Sequence, residues 1–142
     1  MSQMAITIGR VLLGLYFLLP GLMKVVGAEQ TIAYMASHGI PFTEPLMWFS
    51  TGVNIVGGLL LIAGRHVKFV AYGFVIYVLL VNFMLHDFWT MGEDMVDRER
   101  QNFIKNLGIL AGLLVLGGQA VSRPISLKAW WRSDRAFVSL RG

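Results

Sequence analysis

Cysteine is absent from the 142 residues. That omission removes thiol redox chemistry, thiolate metal ligation, iron–sulfur clusters and disulfide frameworks from the chain's own repertoire. Any electron carrier has to be borrowed. Charge is also scarce, at 14% of the sequence against about 25% in soluble domains. Acids are the rarer sign, 8 against 12 bases, leaving a net charge of +4. The bases gather in connections and in the C-terminal stretch, a distribution suited to lipid headgroups rather than to a nucleic-acid groove. No nucleophile motif, phosphate loop or dinucleotide fingerprint occurs. No group of His, Asp and Glu has metal-ligand spacing, so no metal site is expected. Bis-histidine haem ligation needs two facing imidazoles at matched depth, and the topology below puts His38 and His66 on opposite sides.

What the chain has instead is apolar length. At 56% hydrophobic it carries more apolar surface than a soluble fold of this size can hide. Four segments approach the ~20 residues needed to cross ~30 Å of hydrocarbon. They cover residues 4–26, 46–64, 69–88 (the apolar part ending at Leu85) and 103–121. The first lacks both a preceding basic region and a cleavage motif, so it reads as a retained membrane helix. Pro20 and Gly21 are expected to loosen its second half. In the fourth, the uninterrupted apolar run is short, so Lys105 and Asn106 must belong to the helix if it spans. Backbone groups in hydrocarbon must bond internally, and the runs show no period of two, which favours helices over a barrel. The expected fold is all-α, an integral membrane four-helix bundle with short interfacial helices, in one domain over residues 1–142.

Lys and Arg near the span ends set orientation. With both termini inside, eight fall on the cytoplasmic side (Arg10, Arg65, Lys68, Arg123, Lys128, Arg132, Arg135 and Arg141) and four outside (Lys24, Arg98, Arg100 and Lys105). Residues 29–37 read as a short helix at the outer interface, stopped by Gly39 and Pro41. The outer connection from Asp87 to Arg100 contains five acids. The stretch 122–142 mixes Ile125, Leu127, Trp130, Trp131, Phe137 and Leu140 with Lys128, Arg132 and Arg135, a composition for the cytoplasmic headgroup zone.

Ionisable groups near membrane spans are functional candidates. Asn82 and His86 stand four apart, on one helical face. Asn102 and Asn106 repeat that spacing beside Lys105. Under this topology Lys24, Asn82, His86, Asp87, Lys105 and Asn106 share one depth near the outer surface and can form a common polar pocket. One reading gives that pocket the polar head of an amphiphile such as a quinone, with His86 or Lys105 donating to a carbonyl and Asp87 orienting the imidazole. The other makes these groups interhelical bonds, including a Lys–Asp pair, each worth about 0.6–2 kcal/mol. Asn54, Gly57 and Gly58 in the second segment, with the GxxxG of Gly108 and Gly112 in the fourth, are expected to let helices approach closely.

Ordered short motifs then narrow the field: Gly9-Arg10, residues 21–24 (GLMK), 35–41 (MASHGIP), 57–65 (GGLLLIAGR), 86–89 (HDFW) and 101–106 (QNFIKN). Together, over about residues 8–118, they resemble the DoxX family of small bacterial membrane proteins. The resemblance implies a four-helix bundle in the bacterial inner membrane. It also implies association with redox systems, including subunits like those of thiosulfate:quinone oxidoreductase, without fixing one reaction. Family members often carry a Glu in the second span ahead of the paired glycines, where this chain has Asn54. An amide cannot relay a proton, so Asp87 or His86 is the better candidate for proton handling. The expected function is a subunit or accessory factor of a quinone-linked or redox-associated system. Quinone is the candidate cofactor, and the bilayer, other membrane or redox proteins, or further copies of the chain are the partners. The alternative is a noncatalytic scaffold or assembly factor. A transporter has little support, since no inverted repeat or broken-helix pair is visible.

Overall fold

The structure, a computed structural model, describes residues 3–124, so the tail at 125–142 lies outside the described residues. Every regular element among those residues is a helix: α1 (Gln3–Val26), α2 (Ala28–Ser37), α3 (Thr43–Ala63), α4 (Val67–Leu85) and α5 (Glu93–Gln119), with one turn of 3-10 helix at Phe88–Thr90. The first, second and third apolar segments became α1, α3 and α4, and Pro20 sits within a continuous α1. The short helix expected at 29–37 is α2. Gly39 follows it with φ +69°.

Three stretches are long and apolar enough to cross a membrane: Gln3–Val26, Thr43–Ala63 and Val67–Thr90. α5 is not among them. Its first turns, from Glu93 to Gln101, are charged, and the apolar part follows only after Lys105 and Asn106. The long helices expose Leu12, Leu19, Phe49, Phe69, Ile76, Phe83, Ile104 and Val115. Such extensive apolar surface is the outside of a protein solvated by lipid.

α1 lies along α3, and α4 along α5. Both pairs are antiparallel: Arg10 meets Leu61 and Ile62, Gly14 meets Gly58, Asn82 meets Asn106, and Gly117 abuts Ala71 and Tyr72. Gly14 and Gly58 face each other backbone to backbone. A Cβ on Gly14 would stand 2.8 Å from the Gly58 carbonyl oxygen, and one on Gly58 2.8 Å from that of Gly14. Gly57 makes room for the Phe74 ring, which stacks on Phe17 at a centroid distance of 3.7 Å and joins the pairs. The expected GxxxG contact is displaced. Gly108 faces open space and Gly112 reaches only the Leu13 methyls at 3.8 Å, because α5 packs mainly on α4 through its other faces.

At the opposite end from α2, Arg10 donates from Nη1 to the carbonyls of Leu61 and Ile62. These belong to the last turn of α3, where carbonyls run short of intrahelical partners, although that of Leu61 also accepts from the Gly64 amide at 3.1 Å. Gly64 closes that turn with φ +66°, which a side chain would resist, and an added Cβ would also meet the guanidinium at 2.9 Å. Arg10→Ala removes charged bonds to buried carbonyls and is expected to cost about 2 kcal/mol. The check is the midpoint of thermal unfolding in detergent; an unchanged midpoint would refute the cap.

Candidate functional site

The site forms where α2, the end of α4 and the first turns of α5 converge. α5 starts about ten residues before the apolar segment expected at 103–121, so the supposed outer connection is largely helical. One consequence is that Glu99, counted among its solvated acids, is 2% exposed. His86 Nδ1 lies 2.6 Å from Glu99 Oε2. Asn102 Nδ2 donates to the same oxygen at 3.2 Å, and the Tyr34 hydroxyl donates to Oε1 at 3.3 Å. Arg98 Nε stands 3.7 Å from Oε1.

Glu99 precedes the apolar part of α5. Burial pushes its carboxyl upward, but hydrogen bonds from His86 and Asn102, the His86 charge and the Tyr34 hydroxyl outweigh this and hold it below the usual carboxylate range. Tyr34, on α2, moves the other way. Burial first, then the charge and hydrogen bond of Glu99, push its phenol up to about 12.

The role expected of Asp87 therefore belongs to Glu99. Asp87 Oδ2 instead accepts from the Thr90 hydroxyl at 2.7 Å, folding the 3-10 turn. It follows His86 directly, where a chain leaving a helix cannot bring the carboxylate back onto the imidazole. The expected Lys–Asp pair is likewise absent among the described residues. Lys24 donates to Ser50 Oγ at 3.1 Å and to the Tyr77 hydroxyl at 3.0 Å, tying α1 to α3 and α4.

A second chain of bonds lies next to the carboxylate. Asn106 Nδ2 donates to Asn82 Oδ1 at 2.8 Å, Asn82 Nδ2 donates to the Phe103 carbonyl at 3.2 Å, and the Tyr16 hydroxyl donates to Asn106 Oδ1 at 3.0 Å. Both groups border one cavity of about 570 Å³, lined by Tyr16, His86, Asn102, Lys105, Asn106, Gly108 and Ile109. Of the six expected pocket residues, His86, Lys105 and Asn106 line this cavity and Asn82 joins through Asn106. Lys24 and Asp87 stand apart. Glu99, Tyr34 and Tyr16 were missed by sequence reasoning. A helical reading begun before residue 103 would have found Glu99, since Glu99, Asn102 and Asn106 follow the i, i+3, i+7 spacing of one face.

Asn54 is 3% exposed, deep in α3 against Gly21, and its Oδ1 has no hydrogen-bond partner among the described residues. An amide there can tie helices but cannot carry a proton. His38 and His66 fall at opposite ends of α3.

The DoxX family model matches residues 5–87, well over half the chain. The protein belongs to the DoxX family. Inner membrane protein YphA of Escherichia coli (strain K12) is 29% identical to this DoxX protein over 109 residues, covering 77% of this chain and 78% of that one. No solved structure matches it. The matched segment includes α1, α2, α3 and α4 with His86, while Glu99, Asn102, Lys105 and Asn106 lie beyond it. The site thus joins the family segment to a helix outside it, and the QNFIKN motif falls outside the matched residues.

Proposed function

We propose that this DoxX protein is an inner-membrane subunit or accessory factor of a quinone-linked redox system, holding the polar head of an amphiphile between α1 and α5. The supporting observation is the cavity of about 570 Å³. That volume falls within the range of small-molecule pockets, and the lining sets an imidazole, an ammonium and two amides against apolar walls. Four spans are part of this reading. α5 runs antiparallel to α4 from His86 back to Ala71, so hydrocarbon covering α4 also surrounds the apolar part of α5. Both termini then lie in the cytoplasm, and the cavity opens near the outer headgroups.

Binding of a short-chain benzoquinone to the purified protein tests the site. Wild type should bind, and Lys105→Ala, which removes a charged donor to the carbonyl, should weaken binding by about tenfold. Absent binding, or equal binding by the two proteins, rejects it.

One observation favours the scaffold reading as well: Asn82, Asn106 and Tyr16 already bond one another across α4, α5 and α1. A scaffold would lose thermal stability in the same variant without any ligand effect, and would co-purify with a membrane partner.

A further inference from the structure

Building on the amphiphile site proposed above, we infer that the cavity selects a head group bearing a hydroxyl, a quinol or phenol, over the corresponding quinone carbonyl. His86 has two ring nitrogens, and Nδ1 is committed to Glu99 at 2.6 Å. Only Nε2 remains for a cavity occupant. A carboxylate accepts and cannot donate, so in the neutral imidazole the shared proton resides on Nδ1 and Nε2 carries a lone pair. The group offered to the ligand is then an acceptor, the reverse of the donor expected from sequence.

A carbonyl oxygen also only accepts, so it meets this lone pair unfavourably. A hydroxyl satisfies it by donating. The same hydroxyl oxygen can accept from Lys105, whose ammonium borders the cavity and is not held by a carboxylate of the site. Other polar groups around the imidazole reinforce the tautomer. Tyr34 and Asn102 both donate to Glu99, and Arg98 stands by its Oε1, so the carboxylate stays ionised. Tyr16 spends its proton on Asn106, and Asp87 is turned toward Thr90. Glu99 is therefore a positioning residue: it fixes which nitrogen carries the proton without reaching the ligand.

The experiment uses the full chain in phosphatidylcholine nanodiscs, anaerobically and at mildly alkaline pH. Three probes of matched tail are compared: decylhydroquinone, decylbenzoquinone and the dimethyl ether of the hydroquinone. The hydroquinone should bind roughly tenfold more tightly than the other two, the effect of one well-placed hydrogen bond against an unpaired acceptor. Glu99→Gln removes the fixed tautomer, because its amide can accept from or donate to Nδ1, and should bring the three affinities toward parity even if overall binding weakens. Equal affinities in the wild type, tighter quinone binding, or a preference that survives Glu99→Gln in a folded variant would overturn the inference while leaving an amphiphile site standing. Failure of all three probes to bind would overturn the site and the inference together.

Discussion

Replacing Glu99 with Ala should lower stability by about 1–3 kcal/mol, the cost of leaving hydrogen-bond donors at a buried position without their acceptor. His86 after α4 and Asn102 on α5 lose their acceptor at once, and Tyr34 on α2 keeps only the Leu85 carbonyl. The expected result is a fall in the thermal midpoint, together with earlier proteolysis of the α2 and 88–92 region. Glu99→Gln should cost less, because the amide still accepts from Tyr34 or Asn102. Asp87→Ala should cost little, since its side chain holds only Thr90. If Glu99→Ala and Asp87→Ala behave alike, the central position of Glu99 is wrong.

The same group gives stability a pH dependence with a defined sign. The folded Glu99 carboxyl lies below its ordinary value of 4.5, so folding favours the ionised form. Its contribution is present above the ordinary value and disappears as pH falls through the folded one. Tyr34 acts at the other limit. Its phenol rises from 10.0 to about 12, so its contribution is complete below the ordinary value and is lost as pH climbs through that interval. Thermal midpoints across pH should fall at both ends, and Glu99→Gln should flatten the acidic limb.

The apolar segments and the short helix at the loop between them were legible because membrane solvation forces long apolar runs into helices whatever their neighbours. The stop after α2 is also local, which is why Gly39 marked a real one. α5 was legible only in its apolar part. Its first turns carry Glu93, Asp94, Asp97 and Glu99, a composition that reads as a solvated connection, yet they form a helix. Docking on α4 and α2 then decides which acid is buried. Likewise His86 and Asn106 were found by spacing along their own helices, whereas the partner of His86 depended on how two helices meet. Asp87 was nearer in sequence and Glu99 nearer in space.

Small residues illustrate the same limit, and they carry the second large effect. Gly14→Ala or Gly58→Ala should destabilise the protein by about 1–3 kcal/mol or more, the range for overpacking. The added methyl would meet backbone, which cannot swing aside: the Gly58 carbonyl at 2.8 Å, beside Ile62 Cγ1 at 2.7 Å, in one case, and the Gly14 carbonyl and the Leu18 amide, each at 2.8 Å, in the other. Gly108→Ala should do the opposite. It meets nothing within 4 Å, and replacing a helical glycine with alanine gains up to about 1 kcal/mol from the unfolded chain. Gly112→Ala, at ordinary contact distance from Leu13, should behave like Gly108→Ala. Because Gly14 and Gly58 face each other, their double variant should lose less than the two single losses together, since helices already parted by one methyl tolerate the second. Parting α1 from α3 also moves Tyr16, two residues beyond Gly14, relative to Asn106, so Gly14→Ala should weaken any cavity ligand as well as the fold. Equal destabilisation by all four substitutions would mean that the helices do not meet through Gly14 and Gly58, and the wall that α1 lends to the cavity would go with that contact.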